Sequence, residues 1–114
     1  MNMFFDRLKN YGADLDGAMG RFLNDEELYA SCFAEFMNDP CFAELKNALD
    51  AHDYDAAFDA AHTLKGVAGN MGLTPMYRAV CDIVEPLRAK QVSDLQPLYE
   101  EIMRQHTILK QLEL

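Results

Sequence analysis

The chain has 114 residues, with 19 acidic against 10 basic, for a formal net charge of −9. That length suffices for one domain that buries about two-thirds of its unfolded surface, so a core needs neither disulfides nor a structural metal. A charged fraction of 25% with no low-complexity tract excludes wholesale disorder, and the acidic balance argues against nucleic acid or an anionic membrane as partner, since phosphate binding rests on clustered Lys and Arg.

Cys32, Cys41 and Cys81 show no C-x-x-C spacing and fall in helical stretches, so they read as buried thiols in a reducing compartment. The opening MNMFFDRLKN lacks an apolar signal core, and no stretch approaches 18 apolar residues. A soluble, cytoplasmic protein is expected.

Four prolines and six glycines mark helix ends rather than strand turns, and no β-branched runs suggest a sheet. A short helix is expected near 2–10. A second, capped by Asp14, should run to Leu23. A long segment from Asp25 to about Ala51 follows, with Leu28, Cys32, Phe36, Phe42, Leu45 and Leu49 at helical spacing; Pro40 either kinks it or restarts it with Asp39 as cap and the proline at the first helical position, and the kink is expected. Asp53 opens a helix reading on to Met71, with Gly72 at the left-handed position past its end. Thr74-Pro75 supplies a cap and a first-turn proline for a helix to about Lys90, bent at Pro86. Ser93 is expected to cap the last helix, which carries Leu95, Leu98, Ile102, Ile108, Leu109 and Leu112. The predicted fold class is all-α: an antiparallel up-and-down four-helix bundle over about 25–113, preceded by two short helices within 1–23 and filled largely by Met and Phe.

Chemistry concentrates in 53–73, DYDAAFDAAHTLKGVAGNMGL. At 100° per residue, Ala57, Ala60, Ala61, Leu64, Val67, Ala68 and Met71 share one face, which should be the core. His62 lies almost opposite, on a stripe with Asp55, Phe58, Asp59, Lys65, Gly66 and Gly69. A histidine so placed points to solvent. An exposed mid-helix glycine costs about 1 kcal/mol relative to alanine, so two on that stripe imply that something approaches it closely. That something is either a partner reaching for His62 or another part of the same chain, such as the N-terminal helices. Lys65 sets a cation where an incoming anion would sit, although such a lysine is commonly just a solvated charge.

The run A-H62-T-L-K65-G66-V-A-G69-N70-M-G72-L resembles the histidine-containing phosphotransfer (HPt) domain, in which a histidine, a basic residue three positions on and a glycine four on form the active stripe. The run GADLDGAMGRFLNDEELY over 12–29 is similar to the opening of the same family, so the resemblance covers 12–112. It implies a phosphorelay carrier. His62 would accept a phosphoryl group from a receiver-domain aspartate and pass it to another. Neutral imidazole is nucleophilic near physiological pH, and phosphoryl transfer needs positioning and charge stabilisation more than protein acids or bases. On this reading Lys65 stabilises charge and Gly66 gives clearance. Phe58, Asp59, Gly69 and Asn70 border the partner contact, Phe58 being equally readable as a core-edge residue. Response-regulator receivers and a hybrid sensor histidine kinase are the implied partners, and Mg²⁺ is expected in the receiver rather than in this chain, which reads as a monomer.

Two further readings compete. Asp59-x-x-His62 has the carboxylate–histidine spacing of metal-binding bundles, but only one such motif is present and it faces outward; His52 and His106 read as surface residues. A helical adaptor could dock a protein on the same stripe without phosphorylation. The Gly66, Gly69, Gly72 spacing is no phosphate loop, because no strand precedes it and no G-K-[ST] follows. Ser31, Thr63 and Ser93 lack catalytic partner patterns. Nor is there room for an ATP-binding kinase domain.

Overall fold

The computed structural model describes residues 3–113 and places seven helices there: α1 (Met3–Tyr11), α2 (Leu15–Arg21), α3 (Glu26–Met37), α4 (Cys41–Asp50), α5 (Tyr54–Asn70), α6 (Thr74–Arg88) and α7 (Gln96–Leu112). No strand occurs among the described residues. The expected first helix began at residue 2, which lies outside them. α4 packs along α5, α5 along α6 and α6 along α7, giving a body 45 × 24 × 20 Å across. One apolar cluster runs through it, joining Phe5 and Leu8 of α1 to Tyr29 and Phe33 of α3, Leu64 of α5, Ile83 of α6 and Ile102 of α7.

Three aspartates start helices as their positions suggested. The carboxylates of Asp14, Asp25 and Asp53 accept from the N–H groups of Gly17, Leu28 and Ala56 at 3.0, 3.0 and 3.1 Å, giving otherwise unpaired first-turn donors a partner.

The segment 25–51 is two helices, not one kinked helix. Pro40 has no N–H to donate and disfavours helical backbone at Asp39, while the Asp39 carboxylate takes the Cys41 N–H at 2.8 Å and starts α4 afresh. The inward face of α3 differs in part from expectation: Phe36 is buried as expected, but Tyr29, Phe33 and Met37 join it, whereas Cys32 is half-buried and Leu28 stays 39% exposed. Several ends shift as well. α2 stops at Arg21 rather than Leu23, and α6 at Arg88 rather than Lys90. Leu23 and Lys90 turn to φ values of +58°, outside helical backbone. Pro86 lies within α6, near its end.

Neither expected hydroxyl cap forms. Thr74 is already helical, and its Oγ1 donates back to the Gly72 carbonyl at 3.4 Å. Ser93 lies in the loop before α7, whose start is set instead by a proline in its first turn. The thiols of Cys32, Cys41 and Cys81 are free and half-buried rather than fully buried.

His106 is the largest departure from the expected surface. It is 7% exposed, and its ring stacks on Phe42 with centroids 3.9 Å apart. Its Nε2 stands 2.8 Å from the Met37 carbonyl oxygen, and because a carbonyl only accepts, Nε2 carries the proton. The imidazole thus ties α7 to the last residue of α3, across the break at Pro40. Burial pushes its pKa below the ordinary histidine value, against the opposing effect of the Met37 bond.

Candidate functional site

α5 carries five alanines, and its inner face is small. Ala57, Ala60, Ala61, Leu64 and Ala68 are buried, so α4 and α6 can pack closely against it. Val67, expected in the core, is half-buried at the edge.

The C-terminal end of α5 is held from several sides. Gly72 takes φ +70°, and a Cβ there would collide with the Asp14 carbonyl oxygen, so glycine is required twice over. The Asp14 N–H donates to the Gly72 carbonyl at 2.8 Å. Tyr29 donates its hydroxyl to the Met71 carbonyl at 2.7 Å, and Arg21 donates from Nε to Asn70 at 2.8 Å and from its terminal nitrogen to Gly69 at 3.2 Å. Helix-end carbonyls left without intrahelical partners are satisfied this way, and the cation of Arg21 sits at the negative end of the helix. Sequence reasoning assigned Arg21 and Tyr29 no role, since nothing local marks a residue whose partner lies more than forty positions away.

On this braced helix His62 is exposed. Its ring nitrogens hydrogen-bond to no described residue, which leaves either nitrogen accessible to an incoming group. Lys65, half-buried one turn further on, makes no ion pair among the described residues. Asp59 and His62 gather no third His, Cys, Asp or Glu into a cluster able to hold a metal among the described residues.

The two stripe glycines differ. A Cβ built on Gly66 would meet nothing within 4 Å, so the face beside His62 is open. One built on Gly69 would stand 3.1 Å from Cε1 and 3.2 Å from Cδ1 of Tyr77, so this glycine lets α6 approach. Of the two explanations for the glycines, contact within the chain fits Gly69, through α6 rather than the N-terminal helices. It does not fit Gly66.

His62 therefore stands on a ridge with two unlike flanks. His62 itself, with Thr63, Gly66, Val67 and Asn70 of α5, lines a groove of about 500 Å³ whose other walls include Phe36 of α3, Phe22 and Met71. Cys32 lines it, while Glu35 and Asp39 give it an acidic rim. The groove was not legible in the sequence, because its far wall comes from α3 and the break after it. Beside it, burial and the Asp39 carboxylate push the Cys41 thiol up to about 11, so that thiol stays protonated and is no nucleophile at neutral pH. On the other flank, towards α6, the Phe58 ring stacks with His62 at a centroid separation of 5.5 Å and an interplanar angle of 26°. The Arg88 guanidinium lies over the same Phe58 ring, 5.6 Å from its centroid.

No helix among the described residues is long and apolar enough to cross a membrane. Comparison with curated proteins and with solved structures returns no match. The Hpt domain family matches residues 1–113, essentially the whole chain, and with an all-helical fold presenting a solvent-facing histidine the chain belongs to the Hpt domain family, whose members serve phosphotransfer in phosphorelays.

Proposed function

We propose that this protein is a phosphorelay carrier in which His62 receives a phosphoryl group from the aspartyl phosphate of a receiver domain and passes it to the aspartate of another. The observation that carries this reading is the pairing of an exposed imidazole, its nitrogens without partners among the described residues, with open space above Gly66 one turn away. Such a nucleophile can enter another protein's active site, where a buried or hydrogen-bonded histidine could not.

In the transfer, the unprotonated ring nitrogen of His62 donates its electron pair to phosphorus as an N–P bond forms. The P–O bond to the aspartyl carboxylate breaks, and its electrons leave with the carboxylate. The other ring nitrogen keeps its proton, so the ring gains positive charge as the phosphoryl group arrives. The reverse sequence charges the next receiver. Neither direction requires an acid or base from this chain, only placement and charge stabilisation. Lys65 adds positive charge next to a nucleophile otherwise flanked by Asp59, Glu35 and Asp39. The Mg²⁺ that neutralises the transferring group belongs to the receiver's acidic pocket. Asp59, Asn70 and the groove side of α5 form the contact with the partner, with Phe58 at its margin.

The partners in this reading are response-regulator receivers and a hybrid sensor histidine kinase, and the carrier acts as a cytoplasmic monomer. An antiparallel up-and-down order of the long helices suits it, and the short connections and successive packing of α4, α5, α6 and α7 support that order. The test is incubation with receivers charged by acetyl phosphate, with mass spectrometry locating the modified residue. Phosphate on His62 is expected. An unmodified His62 beside charged receivers of the same organism would leave a helical adaptor in its place.

A further inference from the structure

An exposed imidazole without hydrogen bonds should be free to turn about its side-chain bonds, and a nucleophile that must meet phosphorus in line loses rate with each orientation it wastes. Among the described residues one aromatic contact restrains it. Helical side chains lean towards the N-terminus, so His62 lies back over the residue one turn earlier, and that residue is Phe58. The rings are 5.5 Å apart at 26°, within the range of offset stacking. Phe58 is itself held, being half-buried against the core with the Arg88 guanidinium 5.6 Å from its ring centroid, a cation–π distance. Among the described residues the one ion pair of Arg88 is long, 3.9 Å to Glu85 on its own helix, so no strong carboxylate contact there dictates its place over Phe58.

We propose that Phe58 is a positioning residue for His62, and that Arg88 acts through Phe58, so that the stack presents the imidazole in one orientation before the partner arrives. The inference rests on His62 being the phosphoacceptor. It assigns Phe58 more than a margin of the docking face, and it brings into the site a residue of α6 that no spacing in the α5 sequence could reveal. A contact residue would alter how tightly a receiver binds. A positioning residue alters how fast the bound complex reacts.

The experiment uses the full chain with Phe58→Leu, which keeps apolar bulk but removes the flat ring, Phe58→Tyr, which keeps the ring, and Arg88→Gln. Transfer from a phosphorylated receiver is followed over a range of receiver concentrations, and the His62 ring is observed by NMR in the unphosphorylated proteins. Phe58→Leu should lower the maximal transfer rate about five- to tenfold while the half-saturating receiver concentration stays within about twofold. Phe58→Tyr should restore the rate, and Arg88→Gln should lower it about twofold. In the wild type, ring-to-ring nuclear Overhauser effects between Phe58 and His62 and a single dominant His62 rotamer are expected, both lost in Phe58→Leu. Rotamer averaging of His62 in the wild type, or a Phe58→Leu effect confined to the half-saturating concentration, would overturn the proposal. If the wild type carries no phosphate on His62, the carrier reading fails, and the NMR comparison alone decides whether Phe58 orients the ring.

Discussion

His62 and His106 are the same side chain in opposite settings on two helices, α5 and α7. His62 is exposed on α5, touches one aromatic ring and hydrogen-bonds to nothing in the described chain. His106 is 7% exposed on α7, stacked at 3.9 Å on Phe42 and bonded at 2.8 Å to the Met37 carbonyl. A buried imidazole whose donor is engaged is a structural strut, and attack through it would require dismantling the seam between α3 and α7. An exposed one with unengaged nitrogens contributes little to stability and is available for chemistry. Accessibility and hydrogen-bond state, rather than residue type, separate a histidine available for chemistry from a packed one.

The sharpest way to break that comparison is to remove each ring in turn. His62→Gln should abolish transfer while changing stability by no more than about 0.5 kcal/mol, as expected for a polar exchange at an exposed site. His106→Leu should leave phosphate on His62 but lower stability by about 1–3 kcal/mol, because the Met37 carbonyl loses its buried donor. Phosphotransfer assays and denaturant melts on both proteins check this. Phosphate on His106 or His52 would undo the assignment.

Gly66 and Gly69 give a second contrast on the same helix. Open space over Gly66 means that Gly66→Ala should stabilise the isolated protein by about 0.5–1 kcal/mol through helix propensity and lower unfolded-state entropy, yet slow transfer. Gly66→Gln should nearly block transfer with the fold intact. At Gly69 the added methyl must displace the Tyr77 ring 3.1 Å away, so Gly69→Ala should fall short of the Gly66→Ala stability by about 0.5–1 kcal/mol. Equal melts for the two alanine variants would show that Tyr77 yields without cost. Normal transfer by Gly66→Gln would remove the clearance argument.

Lys65 bears on the His62 side of the comparison more gently. With no ion pair among the described residues, its charge is available to an incoming phosphoryl group, and in the proposed reading most stabilisation would come from a metal in the receiver. Lys65→Ala should slow transfer severalfold, and Lys65→Glu should slow it further by adding to the acidic surroundings of His62. Equal rates across the three proteins would make Lys65 a solvated residue.

The sequence carried the α5 face well because both signals there are periodic and local. Alanines at helical spacing marked the buried side, and the opposite side then had to contain His62, Lys65 and Gly66. Asp14, Asp25 and Asp53 were legible as caps for the same reason, since each acts on its own first turn. What stayed hidden depends on partners far along the chain. His106 reads as a polar residue between Gln105 and Thr107 until the Met37 carbonyl is brought to it. Gly69 matches Gly66 in sequence and differs only because Tyr77 lies across from it. The Pro40 break turned on a contest between a kink and a restart. Asp39 settled it by capping α4, and the groove beside His62 follows from where α3 then ends.

The smallest expected effect sharpens the His106 side. Burial holds this imidazole neutral to a lower pH in the folded chain than in the unfolded one, with the nearby Lys110 charge acting in the same direction. Below the ordinary histidine value of about 6.5 the unfolded chain takes up a proton that the folded chain resists, so acid favours unfolding. The contribution of a neutral, buried His106 is therefore complete above about pH 6.5 and is lost as the pH falls from there through the folded-state value. Glu101, held down at about 2 by hydrogen bonds from Arg104 and Gln105, stays ionised throughout this range and does not confuse it. The stability difference between wild type and His106→Leu should thus be largest near pH 7.5 and shrink by pH 5.5, at no more than about 1.4 kcal/mol per pH unit. Denaturant melts of both proteins at the two pH values measure it. A difference independent of pH would mean that His106 accepts a proton as readily folded as unfolded, and that its ring is solvated rather than sealed in the seam between α3 and α7.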